Sequence, residues 1–304
     1  MNIVNVINAL TNQIVATVTL SGAASLGGSA VDTLRHRVYF GSGGFVNQLD
    51  GFSNNITATY TVGGMPRGMA INTITNRLYV ANWATGSTNV WMIDIDQDTI
   101  TTITVGNKPI HVDIDPLKNL IYVTNDSGND ISVIDGNSPG NTITATITLP
   151  PPNSRPDGIV VDPKRARLWV SYYSSPGKVH VIDTTSNTVI GTITPGVNLT
   201  NIAGNLMTNR FFVTPNTLTY VNAISGEPPY PIVGTVQVGG SGLDGPAVNP
   251  FITLLGNTVQ ANLVYVGIGS MRAVAVIDQD TNMLLATIPV GASPAWTNVD
   301  PFMT

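Results

Sequence analysis

The sequence predicts an all-β protein, a seven-bladed β-propeller of four-stranded antiparallel blades whose last blade is shared between the N- and C-termini. Two observations predict this fold. A unit of roughly 43 residues recurs along the chain, the kind of period that propeller repeats have. Each copy also holds four short runs rich in Val, Ile and Thr, separated by Gly, Pro, Asn and Asp. Such runs are typical of strands and turns, and four of them make a propeller blade.

The clearest copy runs from Gly106 to Leu149 and shows how one blade is built. Its apolar runs are "IHVDI", "LIYVT", "DISVID" and "TITATITL", which we name strands A to D from the central channel outward. The second run recurs as "RVYFGS", "RLYVAN", "RLWVSY", "RFFVTP" and "LVYVGI". Aromatic and β-branched residues suit a packed sheet. We therefore expect Tyr122 and its equivalents to be buried between blades as architecture.

Aligning the copies divides the chain, a single domain over 1–304, into six full blades and two fragments. The full blades are expected over 20–62, 63–105, 106–149, 150–195, 196–238 and 239–290. Residues 1–19 match strands C and D of the closing blade, and residues 291–304 match its strand A. Neither fragment supplies strand B. Either the natural chain is longer and contains that strand, or a neighbouring copy donates it by strand addition.

Composition excludes several classes of function. Only 10% of residues are charged, and the 13 basic residues are scattered over a chain of net charge −5. Nucleic-acid binding requires clustered Lys and Arg, so that partner is not expected. The absence of cysteine excludes disulfides and thiolate metal sites. No apolar run is long enough to span a bilayer, and the alternating N-terminal stretch without a basic head is unlike a signal peptide.

The letters "YVTN" at Tyr122–Asn125 and "YVAN" at Tyr79–Asn82, with "VID" and "ATI" elements nearby, resemble the YVTN family of β-propeller repeats. The resemblance covers nearly the whole chain. It implies a surface-layer-like protein, extracellular or on the cell surface, that acts as a non-enzymatic structural or interaction module. Propellers of similar shape include lactonases, lyases and dehydrogenase subunits. A channel-mouth enzyme, or a metal- or sugar-binding propeller, is therefore the alternative.

Strand direction places the D-to-A links, the starts of the A strands and the B-to-C loops on one face, around the mouth of the channel. Alignment on Pro66, Pro109 and Pro156 gives two columns of residues there. The first is Gly27, Arg67, Ile110, Asp157, Thr200, Asp244 and Ala295, and the second is Gly28, Gly68, His111, Gly158, Asn201, Gly245 and Trp296. Glycine suits crowded inner strands. The polar or bulky departures are therefore candidate ligand-binding residues: Arg67, His111, Asp157, Asp244 and Trp296.

Four further residues complete the candidate site. Asp113 lies two residues from His111 on one strand, and hence on the same face. Such a pair can bind a metal, act as acid and base, or bridge two blades by hydrogen bonds. The B-to-C loops add Trp83, Tyr172 and Tyr173, which favour a protein or glycan partner if exposed and otherwise cover the core. No arrangement for nucleophilic catalysis or dinucleotide binding occurs, so no catalytic residue and no cofactor are assigned.

Overall fold

The computed structural model describes residues 2–22, 26–150, 155–249, 252–254, 257–259, 262–294 and 296–300. Within them, six four-stranded antiparallel sheets follow one another as the blades of a propeller. The only helices in this part of the chain are two single 3-10 turns, Pro163–Arg165 and Gly269–Met271. None of its helices is long and apolar enough to cross a membrane. The prediction of an all-β propeller with four-stranded blades is confirmed.

The strands follow the repeat in chain order. A two-stranded sheet comes first, with β1 (Ile3–Asn8) and β2 (Gln13–Thr19). Blade 1 contains β3 (Leu26–Asp32), β4 (Arg37–Ser42), β5 (Phe45–Asp50) and β6 (Ile56–Thr61). Blade 2 contains β7 (Pro66–Asn72), β8 (Arg77–Asn82), β9 (Asn89–Asp94) and β10 (Thr99–Thr104). Blade 3 contains β11 (Pro109–Asp115), β12 (Leu120–Asn125), β13 (Asp130–Asp135) and β14 (Thr142–Thr148).

The second half of the chain continues the pattern. Blade 4 contains β15 (Pro156–Asp162), β16 (Arg167–Tyr172), β17 (Gly177–Asp183) and β18 (Thr188–Gly196). Blade 5 contains β19 (Leu199–Asn205), β20 (Arg210–Pro215), β21 (Tyr220–Ser225) and β22 (Ile232–Gln237). Blade 6 begins with β23 (Leu243–Asn249), which is followed by a separate hairpin of β24 (Ile252–Leu254) and β25 (Asn257–Val259). The blade then continues with β26 (Leu263–Ile268), β27 (Ala273–Asp278) and β28 (Met283–Pro289).

The predicted seventh blade is wrong, because the described residues form six four-stranded sheets. In that part of the chain β1 and β2 pair only with each other, and 291–294 and 296–300 form no strand. Strands A and C of a blade run in the same direction, so an antiparallel ladder cannot join them without a strand B between them. Side chains hold the final segment instead. Thr297 Oγ1 donates to the Tyr265 carbonyl oxygen at 3.1 Å, and Asp300 Oδ2 lies 3.2 Å from His36 Nδ1. Ala295 and residues 301–304 of the predicted strand lie outside the described residues.

The hydrophobic core lies in the seams between neighbouring blades. In the seam between blades 1 and 2, Tyr39 packs with Leu78 and Val80. Trp169 of blade 4 stacks on Phe211 of blade 5, with ring centroids 3.8 Å apart. The equivalent aromatic residues of the other blades are also buried: Tyr79, Tyr122, Phe212 and Tyr265. This confirms the prediction that the recurring aromatic position of strand B is part of the architecture.

Glycine is required where the inner strands approach the axis. A Cβ on Gly68 would lie 2.6 Å from the His111 Cα, and a Cβ on Gly245, whose φ is +50°, would lie 2.8 Å from the Trp296 Cα. Side chains at these positions would overlap the neighbouring backbone. The alternation of glycine with larger residues therefore sets which side chains can occupy the mouth.

Candidate functional site

His111 stands on the inner strand β11 and reaches across to the next blade. Its Nδ1 lies 3.1 Å from the Asp157 carbonyl oxygen and 3.0 Å from Asp157 Oδ1. Thr124 Oγ1 donates to the same carbonyl oxygen at 2.8 Å, which fixes its position. A carbonyl oxygen can only accept, so Nδ1 carries a proton; in the tautomer with a single ring proton, Nε2 is then an acceptor. Because the Nδ1 hydrogen points to the carbonyl, Asp157 Oδ1 keeps no hydrogen-bond partner among the described residues.

Two indole rings frame the mouth beside His111. The Trp296 ring lies 4.9 Å from the His111 ring. The guanidinium carbon of Arg67 lies 4.8 Å from the Trp83 ring centroid and 5.5 Å from that of Trp296. On Trp83, Lys108 Nζ adds a second positive charge at 4.5 Å. Cations over indole faces are attracted by the ring quadrupole, so these contacts hold both rings in place.

Several buried polar atoms at the mouth have no hydrogen-bond partner within the described parts of the chain. They are Arg67 Nε, Trp83 Nε1, His111 Nε2, Asp157 Oδ1 and Trp296 Nε1. With the assigned tautomer, three of these atoms donate and two accept. A buried polar group left unpaired costs about 1–3 kcal/mol, so folded proteins rarely gather several in one place. A ligand that carries both donors and acceptors could pair with these atoms.

Asp244 brings a second carboxyl group to the mouth. Its pKa is raised to about 6, chiefly by burial and also by the negative charge of Asp157, while Arg67 acts in the opposite direction. The Gly245 N–H donates to Asp244 Oδ1 at 2.8 Å and also favours the ionised form. Asp244 therefore exchanges its proton close to neutral pH.

Asp113 pairs with the next blade and not with His111 in the described contacts. Its Oδ2 accepts a hydrogen bond from the Val161 N–H of blade 4 at 2.7 Å, and its Oδ1 accepts one from the Ile114 N–H at 2.8 Å. Burial raises the pKa of Asp113 to about 6, against the effect of these two bonds. Bridging two blades is one of the roles that the sequence left open for this residue.

The two adjacent tyrosines of blade 4 have different environments. Tyr172 is only 1% exposed and packs in the seam between blades 3 and 4, with its ring edge-on to His180 at 4.9 Å. Tyr173 remains partly exposed, and the Arg155 guanidinium carbon lies 5.0 Å from its ring centroid. Of the nine predicted site residues, two therefore have structural positions. Tyr172 is part of the core, and Asp113 links blade 3 to blade 4 by a hydrogen bond.

A row of charges beside the mouth was not predicted from the sequence. Asp126 lies between two cations, with Oδ2 3.0 Å from Lys108 Nζ and Oδ1 2.8 Å from Arg155 Nε. The cations in turn lie on Trp83 and Tyr173. Lys108 and Arg155 each stand immediately before one of the prolines on which the repeats were aligned, Pro109 and Pro156. An alignment column for the residue before that proline would therefore have identified both.

Known proteins resemble this chain in fold and not in sequence. No protein-family model matches it, and no curated protein matches its sequence. The YVTN resemblance therefore has no support from a family match. Among solved structures, one of Kuenenia stuttgartiensis hydrazine synthase is similar at 19% identity with a TM-score of 0.77, over 93% of this chain and 92% of that one.

Two further structures are similar in fold. A functionally unknown protein from Desulfotomaculum acetoxidans has a TM-score of 0.79 at 12% identity, over 97% of this chain and 94% of that one. The β-propeller domain of Myceliophteria thermophila Cps50 (Swd1) has a TM-score of 0.76 at 10% identity, over 95% of this chain and 94% of that one. At these identities the likeness supports the propeller fold alone.

Proposed function

We propose that this propeller is a binding module whose mouth holds a sugar or a short glycan. The observation that carries the proposal is the group of unpaired donors and acceptors between Trp83 and Trp296. Sugar hydroxyl groups both donate and accept, so one ligand can satisfy both kinds of atom. The apolar C–H face of a sugar ring packs well on an indole, and a few convergent polar groups beside aromatic rings are typical of ligand sites.

Other ligands fit the mouth less well. An anion would lie beside the carboxyl groups of Asp157 and Asp244, whose charges influence each other. No group of three or more His, Asp or Glu among the described residues is arranged to hold a metal ion. A protein partner is expected to bury about 800 Å² on each side. The unpaired atoms lie together at the axis, which favours a small ligand or the end of a chain.

Binding measurements on two matched variants test the proposal. Glycan-array screening would identify a ligand, and calorimetry would then compare the native protein with Trp83→Phe and Trp91→Phe. Both variants remove an indole N–H and keep an aromatic ring, but Trp91 is buried in the seam between blades 1 and 2. Loss of one hydrogen bond should weaken binding by Trp83→Phe about tenfold. Trp91→Phe should bind normally. Equal affinity of the two variants, or no glycan that binds, would contradict the proposal.

An enzyme acting at the same mouth is the second candidate, and Asp244 is the observation that favours it. A carboxyl group with a pKa of about 6 can donate or accept a proton near neutral pH, as acid–base catalysis requires. Mass spectrometry of the bound glycan or of lactone substrates after long incubation distinguishes the two candidates. An unchanged ligand favours the binding module. A product whose formation stops in Asp244→Asn favours the enzyme.

We also propose that the module works outside the cell or at the cell surface. A surface that owes its polarity to Asn, Thr and Ser, in a chain with only 10% charged residues, supports this location together with the glycan ligand. Protease treatment of intact cells, followed by mass spectrometry of the released peptides, tests it. Release of its peptides only after lysis would contradict the proposal.

A further inference from the structure

One seam of the ring is less well filled than the others. A cavity of about 500 Å³, which we call the closing cleft, lies between β1, blade 1 and the chain segment around 296–300. Val38 and Phe40 of β4 line this cleft and are partly exposed. The equivalent residues of the other blades are fully buried: Leu78, Val80, Ile121, Val123, Leu168, Val170, Phe211, Val213, Val264 and Val266. The face of blade 1 that points to β1 therefore has an apolar surface that nothing in the described structure covers fully.

β1 borders the closing cleft with an unpaired edge. Its sheet contains only β1 and β2 within the described residues. The Leu20 N–H donates to the Asn2 carbonyl oxygen at 2.8 Å, which places these two residues opposite each other as a hydrogen-bonded pair. Hydrogen-bonded and non-hydrogen-bonded pairs alternate along antiparallel strands. Ile3 and Asn5 therefore direct their backbone N–H and C=O groups away from β2, toward the free edge.

The opposite wall of the cleft is also apolar. Tyr265 and Val274 of blade 6 line it, and they belong to the core cluster that includes Ile7 of β1. The cleft is thus apolar on two faces and offers hydrogen-bonding groups along one edge. An apolar small molecule would leave those groups unpaired, whereas an extended peptide would satisfy them. In blade 2, β8 occupies the corresponding place between strands A and C, and its residues 78–82 are buried.

We propose that the closing cleft binds an extended apolar segment of another protein, which adds to β1 as an additional antiparallel or parallel strand. The segment that fits is rich in Val, Ile and Tyr on both faces and about six residues long, which spans about 20 Å. The cleft lies where two neighbouring blades would pack against each other. The bound segment would therefore make the same kind of contact that joins the other blades. Trp296 lines this cleft as well as the mouth, so the two proposed sites are neighbours.

A synthetic peptide with the sequence of residues 77–82, "RLYVAN", is the probe for this proposal. Fluorescence anisotropy of the labelled peptide should show saturable binding, and the melting temperature of the protein should rise with peptide concentration. A second peptide, N-methylated at alternate backbone nitrogens, should bind at least about tenfold more weakly. It keeps the apolar side chains but loses the edge hydrogen bonds.

Two protein variants locate the binding surface. Val38→Lys places a charge on the cleft wall and should weaken peptide binding at least about tenfold. Leu117→Lys is the control, because Leu117 is 82% exposed and does not line the cleft, and it should leave binding unchanged. Melting temperatures of both free variants check that they fold, and the N-methylated peptide tests the proposal without altering the protein.

Three results would overturn the proposal. The first is no peptide binding up to about 1 mM, where even weak complexes form. The second is equal binding of the N-methylated peptide, which would make the cleft a site for apolar molecules in general. The third is a dimer, detected by light scattering, that the peptide dissociates, because the occupant would then be a second copy of this chain.

Discussion

Asp113 should make the stability of the protein depend on pH in a direction opposite to that of most carboxylates. Its pKa is about 6 in the folded state against an ordinary value of 3.8. The folded state therefore binds the proton more tightly than the unfolded state. The contribution of Asp113 to stability is highest below about pH 3.8 and falls between there and about pH 6, and above that pH the full penalty for burying the charge applies. A difference of this size corresponds to about 3 kcal/mol. Partial exposure of the residue reduces it to about 1–3 kcal/mol.

The variant Asp113→Ala isolates this effect, since other copies of the repeat carry alanine at the same position. Removing the carboxyl group leaves the Val161 N–H unpaired, which costs about 1–3 kcal/mol at every pH. It also removes the penalty for burying a charge at neutral pH. The variant should thus be clearly less stable than the native protein at pH 4. The difference in the free energy of unfolding between the native protein and the variant should be smaller by about 1–3 kcal/mol at pH 7 than at pH 4.

Urea unfolding of both proteins at several pH values between 4 and 7.5 measures this difference. Asp113→Asn, which keeps an acceptor and cannot ionise, should show the same narrowing. Other carboxyl groups titrate equally in all three proteins and cancel in the comparison. Parallel pH profiles for the native protein and Asp113→Ala would refute the reasoning, because the buried carboxyl group would then have an ordinary pKa.

Three further predictions concern the core, the axis and the rim. Tyr122→Ala should lower the free energy of unfolding by about 3–5 kcal/mol in urea titrations, because a large side chain only 1% exposed leaves a cavity. Gly68→Ala should cost about 1–3 kcal/mol, since its Cβ would lie 2.6 Å from the His111 Cα. If the proposed mouth site is right, it should also weaken glycan binding in calorimetry by displacing the imidazole. Arg155→Ala should change stability by less than about 1 kcal/mol, because the arginine side chain is half exposed and Asp126 keeps its ion pair with Lys108.

The sequence predicted the blades well because each strand is specified locally. In the copy over 106–149, the apolar runs coincide with β11 to β14, and the turns between them carry the residues that turns require. Asn119, Asn129 and Asn141 adopt positive φ there, which asparagine tolerates better than most residues. The Asn125 that ends the YVTN motif has a different role, since its side chain donates to Asp130 Oδ1 at 2.6 Å and to Ser132 Oγ at 3.0 Å.

The closure of the ring and the partners at the mouth could not be predicted in the same way, because both depend on contacts between distant residues. Strand periodicity in the first and last residues indicated where strands could form, but not that the last segment would be held by Thr297 and Asp300. His111 and Asp113 share a face of one strand, yet each finds its partner on blade 4. Spacing along a strand limits where a side chain points and says little about which neighbour it meets.

Elsewhere in the ring, several charged residues form ion pairs with residues nearby in the sequence. Asp32 pairs with Arg35 at 3.2 Å and Asp162 with Arg165 at 3.0 Å, each within one turn between strands A and B. Arg67 has no ion pair in the described part of the chain, and its guanidinium lies on indole rings instead. In a protein with so few charges, a cation kept at the axis beside unpaired acceptors costs stability that the fold does not require. The ligand site proposed for the mouth would give that cost a reason, since repeats that need only to pack could have kept glycine or alanine there.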